Sequence, residues 1–281
     1  MIKYRGGKAR EIPYLISYIP DNFGRYVEPF FGGGSMYFHL EPDLAVINDI
    51  NKRLMSFYKG VRDDFDRVRQ ELEQIESIYK QNRLEYERLK GLNPKTKVPD
   101  MNEQLYYKLR DMYNGKIHNY YSDATLYYFI NKTAYSGMIR YNSKGEYNVP
   151  YGRYKSINAS NVTYEHHKLL NKSKITCGEY STVFDMTTND DFMFLDPPYD
   201  CVFSDYGNDK YSDGFNEDEH RKLANDFINI GCRALMVIGE TPLTKELYQG
   251  KVRGSYDKNY SVNIRNRFKA TATHLIVTNY T

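Results

Sequence analysis

The stretch that decides the fold runs Phe192-Met193-Phe194-Leu195-Asp196-Pro197-Pro198-Tyr199. A short apolar run ended by two prolines predicts a buried strand that stops there, because proline cannot donate to a sheet ladder and fixes its own backbone. The loop that follows is expected to be stiff, with the side chains of Asp196 and Tyr199 at its rim. A plain strand-to-loop turn would leave the same pattern, so other motifs must decide its function.

The loop from Asp196 to Tyr199 offers hydrogen-bond acceptors. The Asp196 carboxylate and the Pro197 carbonyl can accept the two hydrogens of an amino group, and Tyr199 can stack on the ring that carries it. Such acceptors localise on nitrogen a lone pair that the aromatic ring would otherwise delocalise. The loop therefore suits methyl transfer to the amino group of adenine or cytosine.

A second motif, near the amino terminus, predicts a nucleoside-binding turn. Residues Tyr26–Ser35 read as a strand that enters a glycine-rich turn and then a helix, and glycines let a backbone approach a ligand closely. The next strand, Leu44–Ile47, ends in Asn48-Asp49, roughly fifteen to twenty residues after the glycines, where a ribose hydroxyl would need a carboxylate. Glycine in a tight turn can be purely steric, but its combination with Asp49 favours a cofactor site.

In this order the motifs resemble those of the Dam-type DNA adenine methyltransferases, which use S-adenosylmethionine. The matching blocks are Tyr4-Arg5-Gly6-Gly7-Lys8, Glu28-Pro29-Phe30-x-Gly-x-Gly, Asn48-Asp49, Tyr135–Asn142 with Gly145–Tyr154, and Asp196-Pro197-Pro198-Tyr199. They are similar to the family's opening block, methionine-side loop, ribose acceptor, DNA-reading hairpin and catalytic loop. The resemblance spans nearly the whole chain, although Tyr4 stands where the family often has tryptophan.

The resemblance implies three sets of site residues and no metal. The catalytic set is Asp196, Pro197, Pro198 and Tyr199. The cofactor set is Tyr4, Lys8, Glu28, Pro29, Phe30, Gly32, Gly34, Asp49 and Asp196. The DNA set is Tyr135, Ser136, Met138, Arg140, Asn148, Pro150 and Arg153, to which we add Lys3 as the candidate contact to the first guanine, although no motif fixes that contact.

Within the DNA set, the resemblance implies separate roles. Tyr135 would fill the gap left by a flipped adenine, since chemistry on a base requires it to leave the stack. Arg140 would contact guanine O6 and N7, while Met138 and Pro150 would meet a thymine methyl. The expected target is GATC or a closely related palindrome in double-stranded DNA.

Alternation of strands and helices predicts an α/β fold. We expect a Rossmann-like methyltransferase domain from residues 1–55 and 158–281, with a helical plus β-hairpin target-recognition domain, residues 56–157, inserted into it and DNA entering between the two. The predicted strands lie near 174–177, 192–195 and 234–238, besides the two near the amino terminus. The predicted helices are an amphipathic one over Val61–Lys90 and others over 103–112, 122–134 and 216–230.

Two segments concentrate basic residues. Residues 131–155 hold five basic residues against one acidic residue, with five tyrosines between them. With Ser143-Lys144-Gly145 as its turn, this segment predicts a β-hairpin with two polar faces. Such a hairpin either binds DNA or is an ordinary hairpin exposed to solvent. Residues 251–269 hold six basic residues against Asp257. With late strands expected at its ends, over Lys251–Gly254 and Thr273–Thr278, this stretch predicts a loop that either contacts phosphates or is merely solvated.

Composition narrows the class of protein. A chain of 281 residues with 41% hydrophobic content can bury one or two cores, but a net charge of +3 is too small to indicate a polyanion partner. Three cysteines at unrelated spacings suggest neither a disulfide framework nor a metal site, and the neighbours His166 and His167 suggest a helix surface. With no membrane-length apolar run and no signal-peptide core, we expect a cytoplasmic enzyme.

Two other classes of function stay open at this level. An enzyme with the same cofactor could methylate cytosine, RNA or a protein glutamine through a related loop. A catalytically silent relative could keep the fold to bind DNA, although the presence of Lys8, Asp49 and Asp196 argues against this. Nothing in the sequence indicates whether a cognate restriction endonuclease exists.

Overall fold

The computed structural model describes residues 1–4, 6–199, 215–260 and 270–281, which pack into two compact units. The helical unit consists of Met1–Gly7 and Asn51–Asn171, and the sheet unit of Lys8–Ile50 and the described residues from Lys172 onward. The first seven residues and residues 158–171 therefore pack with the helices. The functional division into a catalytic and a recognition domain stays a prediction.

The described part of the sheet unit contains one seven-stranded mixed sheet. Its strands are β1 (Arg25–Glu28), β2 (Ala45–Asp49), β3 (Ser173–Cys177), β4 (Asp191–Leu195), β5 (Arg233–Gly239), β6 (Val252–Tyr260) and β7 (Ala270–Thr278). The strand order is β3-β2-β1-β4-β5-β7-β6, with β1 to β5 parallel and β7 antiparallel to both β5 and β6. The order reverses at β1, and in such sheets ligands bind outside the carboxyl ends of the strands at that point.

The central strands form because their side chains are apolar on both faces. Val27, Met193, Leu195, Met236 and Ile238 are fully buried in one cluster on one face. The alternate residues, which point to the other face, are buried as well: Tyr26, Phe192, Phe194, Leu235 and Val237. Parallel strands covered on both faces read as continuous apolar runs, and for that reason the sequence could locate them. The predicted strands of the sheet and the α/β fold class are confirmed.

The helices alternate with these strands and fill the helical unit. In chain order they are α1 (Ile12–Leu15), α2 (Ser35–Leu40), α3 (Lys52–Asp63), α4 (Phe65–Leu92), α5 (Met101–Tyr113), α6 (Asp123–Thr133), α7 (Tyr164–Asn171), α8 (Tyr180–Phe184), α9 (Glu217–Asn229) and α10 (Pro242–Leu247). Side chains satisfy the first amides of several: Ser122 caps α6, and Asn216 with Glu219 forms a capping box on α9.

The sequence prediction was inexact at one helix. The single helix expected over Val61–Lys90 is two helices, because α3 ends at Asp63 and Asp64 leaves the helical conformation with φ −141° before α4 begins. Charged residues dominate this region, so the amphipathic pattern alone did not show the break. In the part of the chain that the structure describes, no helix is both long and apolar enough to cross a membrane.

The segment 134–154, called the recognition segment below, differs from the regular hairpin that was expected. Isolated bridges pair Ala134 with Tyr151 and Tyr141 with Tyr147, and a single 3-10 turn covers Tyr135–Gly137. Tyr147 and Tyr151 are buried against the helical core. The expectation of two polar faces was therefore wrong, because tyrosine rings are amphipathic and these two bury their apolar bodies.

Candidate active site

Lys8, Asp196 and Tyr199 meet where β4 ends. The Nζ atom of Lys8 lies 2.7 Å from both carboxylate oxygens of Asp196, and the Tyr199 hydroxyl donates to Oδ1 at 3.2 Å. The Lys8 side chain is 2% exposed and that of Asp196 is 20% exposed. Charge-assisted hydrogen bonds in such a shielded position fix the orientation of the carboxylate.

The ring of Tyr199 is held by the strands beside it. It packs edge-on against the buried His274 of β7, with 5.0 Å between ring centroids and 72° between planes. Lys8 Nζ lies 5.0 Å from the Tyr199 centroid. Pro197, in the same loop, is buried as well. The loop therefore presents a carboxylate and an aromatic ring in one fixed arrangement.

Behind Tyr199 lies a buried polar cluster around Glu11 that the sequence did not predict. Its carboxylate accepts hydrogen bonds from Tyr256 and Lys258 and lies 3.3 Å from His274 Nδ1. Burial would raise the pKa of Glu11, but the hydrogen bond with His274, the charge of Lys8 and the bonds from Lys258 and Tyr256 lower it to about 2. The cluster joins α1, which follows Lys8, to the β6–β7 pair that supports Tyr199.

The glycine-rich turn after β1 requires glycine sterically at one position. Gly34 has φ +63°, and a Cβ there would lie 2.5 Å from the ring of Phe31. The turn is tied to the end of β2, because Gly32 N donates to Asp49 Oδ2 at 2.8 Å and Phe31 N donates to Asn48 O at 2.8 Å. The turn therefore needs glycine at Gly34 for steric reasons, and it is also hydrogen-bonded to Asp49 through Gly32.

Asn48, within β2, joins the loops that follow β1 and β3 at this sheet edge. Its Nδ2 donates to the carbonyls of Pro29, at 3.1 Å, and Gly178, at 2.9 Å, while its Oδ1 accepts from Thr176 at 2.9 Å. The sequence did not single out the loop at Gly178, after β3, although a short strand followed directly by glycine could have marked it.

Glu28, the last residue of β1, is buried with its carboxylate accepting from Tyr26 at 2.8 Å. Burial raises the pKa of Glu28 well above its usual range, and the charges of Asp196 and Asp49 raise it further against the hydrogen bond from Tyr26. Three carboxylates thus gather at the carboxyl ends of β1, β2 and β4. A positively charged ligand would favour ionised Glu28 there.

The predicted DNA set lies in the helical unit, mostly on its surface. Tyr135, Ser136, Arg140, Pro150 and Arg153 are exposed, and Tyr135 keeps 56% of its surface accessible. Ser136 and Arg153 have φ of +56° and +54°, which is uncommon for residues other than glycine and often marks functional positions. The recognition segment therefore displays these residues on a backbone that is partly strained.

The structure also gives the contacts of other members of the predicted sets and the unit to which they belong. Arg140 Nε donates to Asn148 Oδ1 at 2.8 Å, and the carbonyl of Met138 accepts from Tyr147 at 2.7 Å. Lys3 of the DNA set and Tyr4 of the cofactor set belong to the helical unit, whereas the other members of the cofactor set belong to the sheet unit. Arg5, Cys201 and the basic residues 265, 267 and 269 lie outside the described residues.

Among residues 1–4, 6–199, 215–260 and 270–281, no three histidine, cysteine, aspartate or glutamate side chains are arranged to hold a metal ion.

Comparison with known proteins decides the family. Residues 4–264 match the model of the D12 class N6 adenine-specific DNA methyltransferases. The chain belongs to this family. The methyltransferase therefore acts on DNA and is specific for adenine.

Individual relatives agree with this assignment. The methyltransferase is 32% identical to the type II methyltransferase M.CviBI of Paramecium bursaria Chlorella virus NC1A, over 100% of this chain and 99% of the relative. It is 33% identical to M.MjaIII of Methanocaldococcus jannaschii over 79% of this chain and 77% of that protein. It is 26% identical to the DNA adenine methylase of Salmonella typhi over 92% and 89%. The expected family and enzyme class are confirmed.

Part of the basic stretch after β5 has a structural role in the methyltransferase. Lys258 is bound to Glu11, and Arg253 donates to Thr278 Oγ1 at 3.1 Å and to Tyr280 O at 3.0 Å. These two basic side chains of the stretch therefore donate hydrogen bonds to acceptors within the protein. Charge counting along the sequence could not reveal the acceptors, which lie elsewhere in the chain.

Proposed function

We propose that the methyltransferase moves the methyl group of S-adenosylmethionine to N6 of an adenine flipped out of duplex DNA, within GATC or a closely related palindrome. The observation that carries the proposal is the cluster of Lys8, Asp196 and Tyr199, in which one carboxylate is fixed beside one aromatic ring. An amino group on a planar base needs both features. A catalytically silent DNA-binding protein would not need the ion pair.

The carboxylates at the sheet edge support S-adenosylmethionine as the donor. Glu28, whose raised pKa disfavours its ionised form, lies beside Asp49 and Asp196, and a ligand with positive amino and sulfonium groups would offset their repulsion. Glu28, Asp49 and the turn at Gly32 to Gly34 would hold this ligand, with Tyr4 as the predicted stacking partner for its adenine. The bound donor supplies an electrophilic methyl group.

The residues of the chain then position the adenine. The Asp196 carboxylate and the Pro197 carbonyl accept the two amino hydrogens, and Tyr199 stacks on the base. Lys8 keeps both oxygens of Asp196 in place and balances its charge. The nitrogen lone pair would attack the methyl group in line as the bond between that methyl group and the donor sulfur breaks, which leaves the donor as a neutral thioether. The methylated nitrogen, which carries positive charge, would then release a proton to water. Positioning and fixed charges account for such a displacement.

DNA recognition is assigned to the recognition segment. Tyr135, exposed next to the strained Ser136, would occupy the space of the flipped adenine, whose unstacking costs a few kcal/mol. Arg140, oriented by Asn148, would contact guanine O6 and N7. Met138 and Pro150 would meet a thymine methyl. Lys3 would contact the first guanine, and Arg153 the DNA backbone.

Product analysis tests the proposal. Unmethylated duplex DNA is incubated with the methyltransferase and labelled S-adenosylmethionine, and the nucleosides are analysed by mass spectrometry beside the Asp196→Ala variant. We expect labelled N6-methyladenine from the wild-type protein alone, with DNA binding retained in the variant. Label in cytosine, in RNA or in protein would contradict the substrate. Loss of DNA binding in the variant would contradict the role of Asp196.

A further inference from the structure

Asn131, a residue of α6 outside the predicted site, binds the backbone of Lys3 on both sides. Lys3 N donates to Asn131 Oδ1 at 2.8 Å, and Asn131 Nδ2 donates to Lys3 O at 2.7 Å. The side-chain amide thus pairs with one residue as a neighbouring strand would. Asn131 is 4% exposed, so these bonds are shielded from water. The start of the chain is fixed to α6 at this residue.

The side chain of Lys3 is held along its whole length. Its Nζ donates to the carbonyl of Lys132 at 3.0 Å and lies 3.3 Å from the ring centroid of Tyr154, a cation–π contact. Its stem lies against Gly137, where an added Cβ would come within 3.1 Å of Lys3 Cδ. Gly137 and Tyr154 both belong to the recognition segment. Lys3 is therefore positioned together with the residues that would read DNA.

We propose that Asn131 is a positioning residue for target recognition, which sets the place of Lys3 and thereby the discrimination at the base pair that Lys3 contacts. The inference rests on the proposed function, in which Lys3 contacts the first guanine. A long lysine side chain loses considerable conformational entropy when it is fixed. Because the backbone of Lys3 is held at both hydrogen-bonding groups and its stem lies against Gly137, part of that cost is met before DNA arrives. The ammonium group would then exchange its bond to the carbonyl of Lys132 for one to a base.

The chain offers two matched controls for an asparagine that binds backbone on both sides. Asn114 accepts from Tyr147 N at 2.8 Å and donates to Tyr147 O at 3.0 Å, so it performs the same pairing within the part of the recognition segment that carries Arg140. Asn279, in the sheet unit, accepts from Ala234 N at 2.8 Å and donates to Cys232 O at 2.8 Å. Asn114 tests whether the loss of discrimination depends on which asparagine is changed, and Asn279 tests whether a general loss of stability is enough to cause it.

The experiment compares kcat/KM on the duplex mapped for the wild-type enzyme with kcat/KM on duplexes changed at each base pair in turn. The discrimination ratio at a base pair is kcat/KM on the unchanged duplex divided by kcat/KM on the duplex changed at that base pair. Lys3→Met should lower this ratio about tenfold at one base pair, the size expected for one specific base contact. Asn131→Leu should lower it at the same base pair, and the double variant should be no worse than Lys3→Met. Asn131→Asp, which keeps the bond to Lys3 N, should fall between Asn131→Leu and the wild type.

The controls separate the possible outcomes. Asn114→Leu should lower the ratio at a different base pair, and Asn279→Leu should lower the melting temperature with every ratio unchanged. Equal losses at the same base pairs for Asn131→Leu and Asn114→Leu would overturn the proposal, as would additive losses in the double variant. If Lys3→Met changes no ratio while adenine is still methylated, the proposal fails although the reaction stands. If no methyladenine forms, the proposed function itself fails.

Discussion

The carboxyl edge of the sheet and the recognition segment hold their functional side chains by different means. At the sheet edge, Glu28 and Asp49 end two strands and Asp196 directly follows a third, so the backbone ladders place all three. The recognition segment has two isolated bridges, and side chains from α4, from α5 and from Asn114 just past α5 hold it instead. A site at strand ends inherits the rigidity of the sheet, whereas a site on irregular backbone depends on individual hydrogen bonds.

The helices support the recognition segment through polar side chains. Tyr106 of α5 donates to the carbonyl of Val149 at 2.7 Å, and Arg110 donates to the same oxygen at 3.3 Å. Asn114, just past α5, binds the backbone of Tyr147. The segment can therefore present exposed readers such as Arg140 although it lacks a regular ladder. Changes at the sheet edge should reduce catalysis, and changes in the segment should alter which DNA is chosen.

The largest effect that would separate the two regions is expected for Lys8→Met. The variant removes the cation that binds both oxygens of Asp196, so the carboxylate loses its orientation, and we expect turnover to fall by about a hundredfold or more, as when one preorganised group is lost. Single-turnover methylation rates measure this, and the preference among duplexes should be unchanged.

Arg25→Met is the matched control for Lys8→Met. Arg25 binds both oxygens of Asp191, at 3.1 and 2.7 Å, and pairs β1 with β4 at their amino ends, away from the site. Its loss should lower the free energy of unfolding by about 2 kcal/mol, the size of hydrogen bonds to a charged group, with turnover unchanged. Equal loss of turnover in both variants would mean that the sheet needs the ion pairs only for its stability.

A smaller effect is expected for Glu28→Gln, and it depends on pH. Because burial raises the pKa of Glu28 above its usual value of 4.5, the folded protein binds more protons than the unfolded chain between these two pKa values. Its free energy of unfolding therefore falls as pH rises above about 4.5. Without S-adenosylmethionine, the variant should melt a few degrees higher than wild type at pH 8, since about 1 kcal/mol corresponds to about 2–4 °C.

The same comparison near pH 4 supplies the control for Glu28. There the wild-type carboxyl is protonated in the folded state and mostly protonated in the unfolded chain, and the difference in melting temperature should be nearly lost. S-adenosylmethionine should also raise the melting temperature of the wild-type protein more than that of the variant. A difference that stays constant with pH would show that packing, and not ionisation, distinguishes glutamine from glutamate at this position.

The two regions also differed in how well the sequence foretold them. Buried parallel strands are continuous apolar runs in the sequence. The loop at Asp196 and the strand that ends at Asp49 could therefore be located from the hydrophobic pattern alone. The pairing of Lys8 with Asp196 could not, because it joins residues 188 positions apart and no local pattern encodes it. The buried tyrosines of the recognition segment were mistaken for surface residues, since alternation of polar and aromatic residues does not say which face packs.

The partners of the basic residues after β5 could not be predicted for a related reason. Arg253 and Lys258 belong to a stretch expected either to contact phosphates or to be solvated, and both are bound to acceptors brought near by the fold. Asn131 and Asn114 carry no sequence signal at all, because an asparagine within or just after a helix is unremarkable until its partner is known. The roles assigned to the predicted site residues remain predictions, which mutation can test one at a time.

The smallest effect concerns salt and contrasts Lys144→Met with Arg253→Met. Each contact between a cation and a DNA phosphate contributes about −0.9 to the slope of log K against log salt concentration. Lys144 is exposed at the turn of the recognition segment, so its loss should make the slope less steep by about 1. Arg253 is bound to Thr278 and Tyr280, so its loss should leave the slope unchanged while it lowers stability slightly. Binding titrations at several salt concentrations measure both slopes. A flatter slope for Arg253→Met would place a phosphate beside β6 and show that the hydrogen bonds of its guanidinium rearrange when DNA binds.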